Sequence, residues 1–184
     1  SGWNGDDGPN SFCAWSRMKL GWSPVVSLSR EREALALRDV GLGGAIYQLP
    51  VNDREVFLIE YRRREGNYYD RHIPGEGVLI WRVAQRPLLE GQATLQLVNL
   101  ECADGRWRDA GYPQGKEPDS EQGSDNLDFW AHDAAYARAH GGNLGDATDL
   151  FDGVRFTAFT PETNPSSQSN DGQSSVRVEN IHIE

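Results

Sequence analysis

The chain has 184 residues, a formal net charge of −10 and a mean hydropathy of −0.64, with 38% hydrophobic residues. This length corresponds to about one domain, or to one domain plus a piece of another. The acidic balance argues against a nucleic-acid partner, because binding to a phosphate backbone depends on clustered Lys and Arg. No run approaches the ~18 apolar residues needed to cross a bilayer, and the start lacks the pattern of a signal peptide. We therefore expect a folded domain with no nucleic-acid and no membrane partner.

The first 23 residues predict a turn-rich start and then a short helix. Gly, Asp, Asn and Pro dominate residues 1–10, which favours irregular turns. Ser11 is a candidate N-cap and Gly21 a candidate C′ residue, so a helix is predicted over 11–20. Four large apolar side chains would form its buried side: Phe12, Trp15, Met18 and Trp22. Such a helix packs either on the β-domain that follows or on a separate domain.

From Pro24 onward the sequence predicts short strands. β-Branched and aromatic residues in short runs bounded by Gly and Pro are typical of strands. The two most apolar runs, 56–61 and 77–83, are predicted to be buried on both faces, and the polar connection between them to project from one end of the sheet. Further strands are predicted at 25–28, 34–40, 45–49, 94–101, 154–159 and 176–183. The predicted fold is all-β, a jelly-roll-like β-sandwich with a short N-terminal helix and one inserted helix.

Residues 101–153 interrupt this pattern with an acidic, partly helical insertion in a domain spanning 24–184. Most of the net negative charge lies here. Residues 127–140 (LDFWAHDAAYARAH) are Ala-rich and are followed by Gly141 and Gly142, which predicts a helix. His132 and His140 are eight positions apart and belong to no H-E-x-x-H motif. We expect them on the surface of that helix rather than on a metal.

Two groups of aspartates in this insertion have the composition of a calcium site. One group lies in a Gly-bounded loop and the other flanks Gly105; their members are Asp146, Asp149 and Asp152, and Asp104 and Asp109. Carboxylate oxygens are hard ligands that suit Ca²⁺. Neither group matches the EF-hand pattern, and turn formation by Asp-Gly explains both equally well. A structural Ca²⁺ and simple turns are therefore the alternatives.

Two further features of the sequence are a run of three arginines and a pair of cysteines. Arg62, Arg63 and Arg64 are followed by Glu65, and we interpret this basic cluster as a solvated strand end rather than a binding patch. The only cysteines are Cys13 and Cys102, which form either one disulfide or two buried free thiols. Without a C-x-x-C pair, no zinc site is expected from them.

The serial order of several motifs resembles a known family. The motifs, in chain order, are WNG (3–5), FCAWSRMKLGW (12–22), VFLIE (56–60), PGEGVLIW (74–81), ADG (103–105), GDATDLF (145–151), TPETNP (160–165) and GQSSVRVENI (172–181). In this order they resemble the immune inhibitor A-like family of secreted bacterial zinc metallopeptidases. The resemblance covers nearly the whole chain, although residues 110–144 look longer and more helical than the family pattern.

The resemblance implies a non-catalytic C-terminal part of such an enzyme. In that family the zinc helix and the Met-turn precede the segment that resembles residues 1–5, and this sequence has no H-E-x-x-H. No catalytic residue or zinc ligand can be assigned, so zinc is expected only in the catalytic part. Residues 1–23 would be the tail end of the catalytic domain, and 24–184 would support that domain and its substrate cleft. The expected interdomain contact is Phe12, Trp15, Met18 and Trp22, and the expected location is extracellular.

A second hypothesis is a free-standing β-sandwich that binds glycan or protein through exposed aromatic residues. The candidates are Tyr68, Tyr69 and Trp107, although aromatic residues more often belong to a core. The two hypotheses differ in one structural expectation. A part of a larger enzyme should expose an apolar patch around Phe12, Trp15 and Trp22, whereas a free-standing module should cover it.

Overall fold

The computed structural model describes residues 9–29, 34–87, 94–105 and 147–183. The elements in chain order are α1 (Ala14–Leu20), β1 (Val25–Ser27), a 3-10 turn (Val40–Leu42), β2 (Ile46–Pro50), β3 (Glu55–Arg62), β4 (Gly77–Pro87) and β5 (Thr94–Leu100). The prediction of an all-β fold with a short N-terminal helix is confirmed. Within the described residues, no helix has the length and apolar character needed to cross a membrane.

The five strands form one mixed sheet in the order β1-β2-β3-β4-β5. β1 runs parallel to β2, and every other neighbouring pair is antiparallel. β3 and β4 are the two runs that the sequence predicts to be buried, and they pair from Glu55 opposite Ala84 to Arg62 opposite Gly77. Side chains on both faces of this pair are buried, because helix and irregular chain cover opposite sides of the sheet.

One apolar cluster lies on each face. The cluster on the α1 face includes Ile46, Leu58, Leu79, Trp81 and Leu100, with Trp15 and Met18 packed against it. The cluster on the opposite face includes Phe57, Ile59, Ile80, Phe151 and Phe159. Because strand side chains alternate between faces, consecutive residues of β3 belong to different clusters. The sheet is therefore the middle layer, with α1 on one side and the C-terminal segment from Phe151 onward on the other.

The helix is shorter than predicted at its start and ends where predicted. α1 begins after Cys13 rather than after Ser11, and no side-chain cap closes its first turn. Ser11 is used elsewhere: its backbone N–H donates to Asp70 Oδ1 (3.2 Å). At the other end, Gly21 has φ +68° and donates to the Met18 carbonyl oxygen, while Trp22 N donates to that of Arg17. A left-handed residue at this position favours glycine, which explains why the helix stops here.

The predicted strand at 34–40 is wrong. Asp39 forms only an isolated bridge with Tyr61, and the chain then enters the 3-10 turn. The Asp39 carboxylate causes this change, since Oδ1 accepts from Leu42 N (3.0 Å) and Oδ2 accepts from Arg63 N (2.7 Å). Gly44 completes the turn, because a Cβ there would lie 1.9 Å from the Arg38 carbonyl oxygen.

The predicted strands at 154–159 and 176–183 are reduced to one isolated bridge between Phe159 and Val178. The ladder does not extend because the chain turns immediately beyond the bridge. Thr163 N and Ser167 N both donate to the Thr160 carbonyl oxygen, and Asn180 has a positive φ of 56°. The second layer therefore consists of irregular chain in the part of the structure that is described. The helix predicted at 127–140, with His132 and His140, lies outside the described residues.

Candidate functional site

A fully buried ion network fixes the N-terminal segment to the sheet. Arg62, at the end of β3, donates through Nη1 to Asp70 Oδ2 (2.7 Å) and through Nη2 to Glu60 Oε2 (3.0 Å). All three side chains have no solvent-exposed surface. Burial lowers the pKa of the Arg62 guanidinium, but the charges of Glu60 and Asp70 more than compensate and raise it. The interpretation of this basic cluster as solvated is thus wrong for Arg62.

The same carboxylates also hold the backbone that leads into α1. Glu60 Oε1 accepts from Ala14 N (3.2 Å) and from Trp81 Nε1 (2.8 Å). Asp70 accepts from Ser11 N, as described above, and the Phe12 carbonyl oxygen accepts from Arg62 Nη2. The first turn of α1 lacks a side-chain cap of its own, so Glu60 on the sheet supplies an acceptor that the helix start requires. The network therefore sets the position of α1 on the sheet.

The interdomain-contact residues predicted from the sequence divide into two pairs. Trp15 and Met18 are partly buried and pack against the α1-side cluster. Phe12 and Trp22 are 51% and 60% exposed, and their rings contact each other with centroids 5.3 Å apart. Leu20 and Val25, which lie within three positions of Trp22 in the sequence, are exposed as well. We call Phe12, Leu20, Trp22 and Val25 the N-terminal apolar surface. Its exposure agrees with the patch expected at Phe12 and Trp22, but not with a fully exposed Trp15.

A second charged cluster lies on the opposite face and holds the C-terminal segment. Arg82 on β4 donates to Glu55 Oε2 (3.0 Å) and Glu101 Oε1 (2.5 Å), and also to the carbonyl oxygens of Ser166 and Gln168 (2.9 and 2.8 Å). The guanidinium carbon lies 4.7 Å from the centre of the Phe57 ring. No local sequence pattern predicts this cluster, because its members are far apart along the chain.

The Arg82 cluster holds two carboxylates against one guanidinium. Glu101 is buried, and its Oε2 has no hydrogen-bond partner within the described residues. Burial raises the pKa of the Glu101 carboxyl and nearby Glu55 adds to the rise, although Arg82 counteracts it. The folded state therefore binds a proton at Glu101 more tightly than the unfolded state does. The contribution of this proton to the free energy of unfolding is fully present below the pKa of the unfolded state, and it is lost as the pH rises through the pKa of the folded state.

Glu101→Gln tests this linkage, because glutamine cannot titrate. We expect the wild type to gain stability relative to Glu101→Gln when the pH falls from about 8 to about 5. Urea unfolding of both proteins at several pH values measures the difference. The matched control is Glu65→Gln, since the Glu65 side chain is 83% exposed. Equal pH slopes for wild type and Glu101→Gln would contradict the assignment.

The structure brings Asp104 of one predicted aspartate group close to Asp149 of the other. Ala103 N donates to the Asp149 carbonyl oxygen and Asp104 N to that of Thr148 (both 3.1 Å). Asp104 Oδ2 also accepts from Thr148 Oγ1 (2.7 Å). Among the described residues, no group of three or more His, Cys, Asp or Glu side chains could hold a metal ion. Asp109 and Asp146 lie outside those residues, so the calcium site stays a prediction.

Asp152 is engaged in the turn that was the alternative to calcium binding. Its Oδ1 accepts from the backbone N–H groups of Val154, Arg155 and Phe156, and Oδ2 accepts from Arg155 Nε (2.7 Å). Gly153 follows with φ +72°. Burial acts to raise the pKa of Asp152, but these hydrogen bonds outweigh it and lower the pKa to about 2. The carboxylate thus organises its own loop.

The remaining candidate residues are the two cysteines and the exposed aromatic residues. Cys13 and Cys102 form no disulfide with each other; Cys102 is buried and Cys13 is half-buried. Tyr68 and Tyr69 are 62% and 51% exposed and meet edge to face with centroids 5.4 Å apart. The Arg71 guanidinium lies 4.0 Å from the centre of the Tyr68 ring. Trp107 lies outside the described residues.

Comparisons with known proteins add no relative. No protein-family model, no curated protein and no solved structure matches this chain. The function is therefore argued from the residues and their geometry.

Proposed function

We propose that this chain is the non-catalytic C-terminal portion of a secreted zinc metallopeptidase, which supports the catalytic domain and its substrate cleft. The observation that carries the proposal is the exposure of Phe12 and Trp22, which lie just before and just after a helix that is fixed to the sheet by fully buried charges. The serial motif resemblance supplies the class of enzyme. In this proposal zinc belongs to the catalytic part, and the partner is the catalytic domain of the same polypeptide.

The physical support is the combination of exposure and rigidity. A contiguous exposed apolar patch commonly marks an interaction site. Aromatic anchors contribute most of the binding energy at many protein interfaces. Because the Arg62 network fixes the start of α1, little conformational entropy remains to be lost on binding there. The N-terminal apolar surface is thus suited to support a neighbouring domain.

The first test is the coding frame before the Ser1 codon. The proposal expects an open frame that encodes H-E-x-x-H, and a frame without that motif would refute it. Cleavage of casein by purified 1–184 in a manner abolished by a chelator would also refute the non-catalytic role.

The second test is binding of that upstream segment, expressed separately, to 1–184. Replacing Phe12 and Trp22 together with serine should weaken binding by at least about tenfold, since each buried aromatic contributes more than about 1 kcal/mol. Isothermal titration calorimetry gives the affinity. Val154→Ser is the control, because Val154 is 84% exposed on a different loop. Unchanged affinity in the double variant would remove the proposed contact.

The exposed tyrosine pair supports a second candidate, a glycan- or protein-binding module. Tyr68 and Tyr69 present their rings to solvent beside Arg71, and such aromatic surfaces stack on sugar rings. Native gel electrophoresis through soluble neutral polysaccharides distinguishes the two functions. Retardation that disappears in Tyr68→Ala would favour the binding module, and equal mobility would remove this candidate for the polysaccharides used.

A further inference from the structure

The strand beside the N-terminal apolar surface lies at an edge of the sheet. Leu28 N donates to the Gln48 carbonyl oxygen and Ile46 N donates to that of Pro24, both at 2.8 Å. Alternate residues of this strand therefore face β2, and the N–H and C=O groups of Val25 and Ser27 point away from it. Among the described residues no further strand lies on that side. An edge of this kind is a template for another strand.

The apolar side chains beside this edge lie on a known face. Val25 is paired with Ile46, which belongs to the α1-side cluster, so the Val25 side chain is on the same face as α1. Trp22 precedes Val25 by three positions and is exposed. A strand added to β1 would therefore place alternate side chains on the face of the sheet that carries Val25.

The segment that carries this surface differs in the sign of its charge from the whole chain. Residues 9–29 contain Arg17 and Lys19 and no Asp or Glu, whereas the whole chain has a net charge of −10. Within the described residues neither side chain forms a salt bridge: Arg17 donates to neutral oxygens of Phe12, Ser11 and Ser23, and Lys19 lies over the Trp15 ring. Opposite charges across an interface favour encounter, and like charges oppose it. This favours an acidic partner over a second copy joined through the same surface.

We propose that the β1 edge binds an extended acidic peptide segment as an added strand. Backbone groups of Val25 and Ser27 pair with the segment, its apolar side chains contact Trp22 and Val25, and its carboxylates face Lys19 and Arg17. The inference rests on the proposed docking role of this surface but not on the peptidase assignment. A coding frame without H-E-x-x-H would refute the proposed function and leave the peptide measurement below unaffected.

The probe is a fluorescein-labelled peptide with an alternating Val-Thr centre and glutamates at both ends, titrated with chain 1–184 by fluorescence anisotropy. Two peptides serve as controls, one with lysines in place of the glutamates and one N-methylated at alternate backbone positions. We expect both to bind at least about tenfold more weakly than the acidic peptide, since each loses roughly the energy of one charge-assisted or backbone hydrogen bond. Absence of binding by the acidic peptide, or equal binding by either control, overturns the proposal.

Two protein variants locate the site. Ser27→Pro removes an outward N–H and leaves the bonds of Leu28 and Pro24 to β2, so we expect about tenfold weaker binding. Trp22→Ser tests the same site without altering the strand backbone, and Val154→Ser is the remote control. Unchanged affinity in Trp22→Ser overturns the proposal whether or not Ser27→Pro folds. Sedimentation velocity of the protein without peptide tests whether a second copy of the chain occupies this surface. A dimer that dissociates in Trp22→Ser would assign the surface to that second copy and overturn the proposal.

Discussion

Replacing Arg62 with methionine is expected to lower the free energy of unfolding by about 3–5 kcal/mol. Methionine fills a similar volume but leaves Glu60 and Asp70 buried without their cation. The two carboxylates would then either protonate or admit water, and both responses weaken their bonds to the backbone at Ser11 and Ala14. Urea unfolding, followed by far-UV circular dichroism, gives the change in stability.

The adjacent arginine provides a matched control for this prediction. Arg63 has the same residue type and lies one position later, but its salt bridge is with Glu65, which is exposed. Arg63→Met should change stability by no more than about 1 kcal/mol, because exposed ion pairs contribute little. Similar losses for Arg62→Met and Arg63→Met would show that burial of the network is not the source of its energy.

Replacing Phe159 with alanine is expected to have an effect of the same size, about 3–5 kcal/mol. Phe159 is fully buried and contacts the rings of Phe57 and Phe151 edge to face, with centroids 4.9 and 5.8 Å apart. The substitution removes buried apolar area and leaves a cavity between the C-terminal segment and β3. Chemical unfolding measures the loss, and Val154→Ala on the exposed part of the same segment should stay within about 0.5 kcal/mol of wild type. If Phe159→Ala lowered the free energy of unfolding by less than about 0.5 kcal/mol, the packing of Phe159 against Phe57 and Phe151 would be contradicted.

The two arginine clusters explain how one sheet holds the segment before α1 and part of the C-terminal segment. Arg62 faces the α1 side and binds the segment before the helix, whereas Arg82 faces the opposite side and binds carbonyl oxygens of Ser166 and Gln168. Each cluster joins residues that are far apart in sequence and satisfies backbone groups of chain that lacks regular structure. The N-terminal apolar surface is therefore attached to a sheet that has ionic and hydrogen-bond contacts on both faces.

Local sequence patterns determined most of the regular structure. Runs of β-branched and aromatic residues located the five strands of the described residues, and Gly21 located the end of α1, because strand and helix-end preferences depend on a few neighbouring residues. The same patterns failed where a side chain competed with the ladder. The Asp39 carboxylate replaced a predicted strand by a turn, and that competition requires Arg63 N, which lies far along the chain.

The environment of charged and aromatic side chains was decided only by tertiary structure. Arg62 has the same local sequence whether it is solvated or buried, and it is buried because Glu60 and Asp70 meet it after the chain has folded. In the same way, the spacing of Phe12, Trp15, Met18 and Trp22 indicates an apolar helix but not which of them contact the sheet. Packing partly buried Trp15 and Met18, which lie on α1, and left Phe12 and Trp22 exposed, because these two residues lie outside the helix, one before its first turn and one after its last.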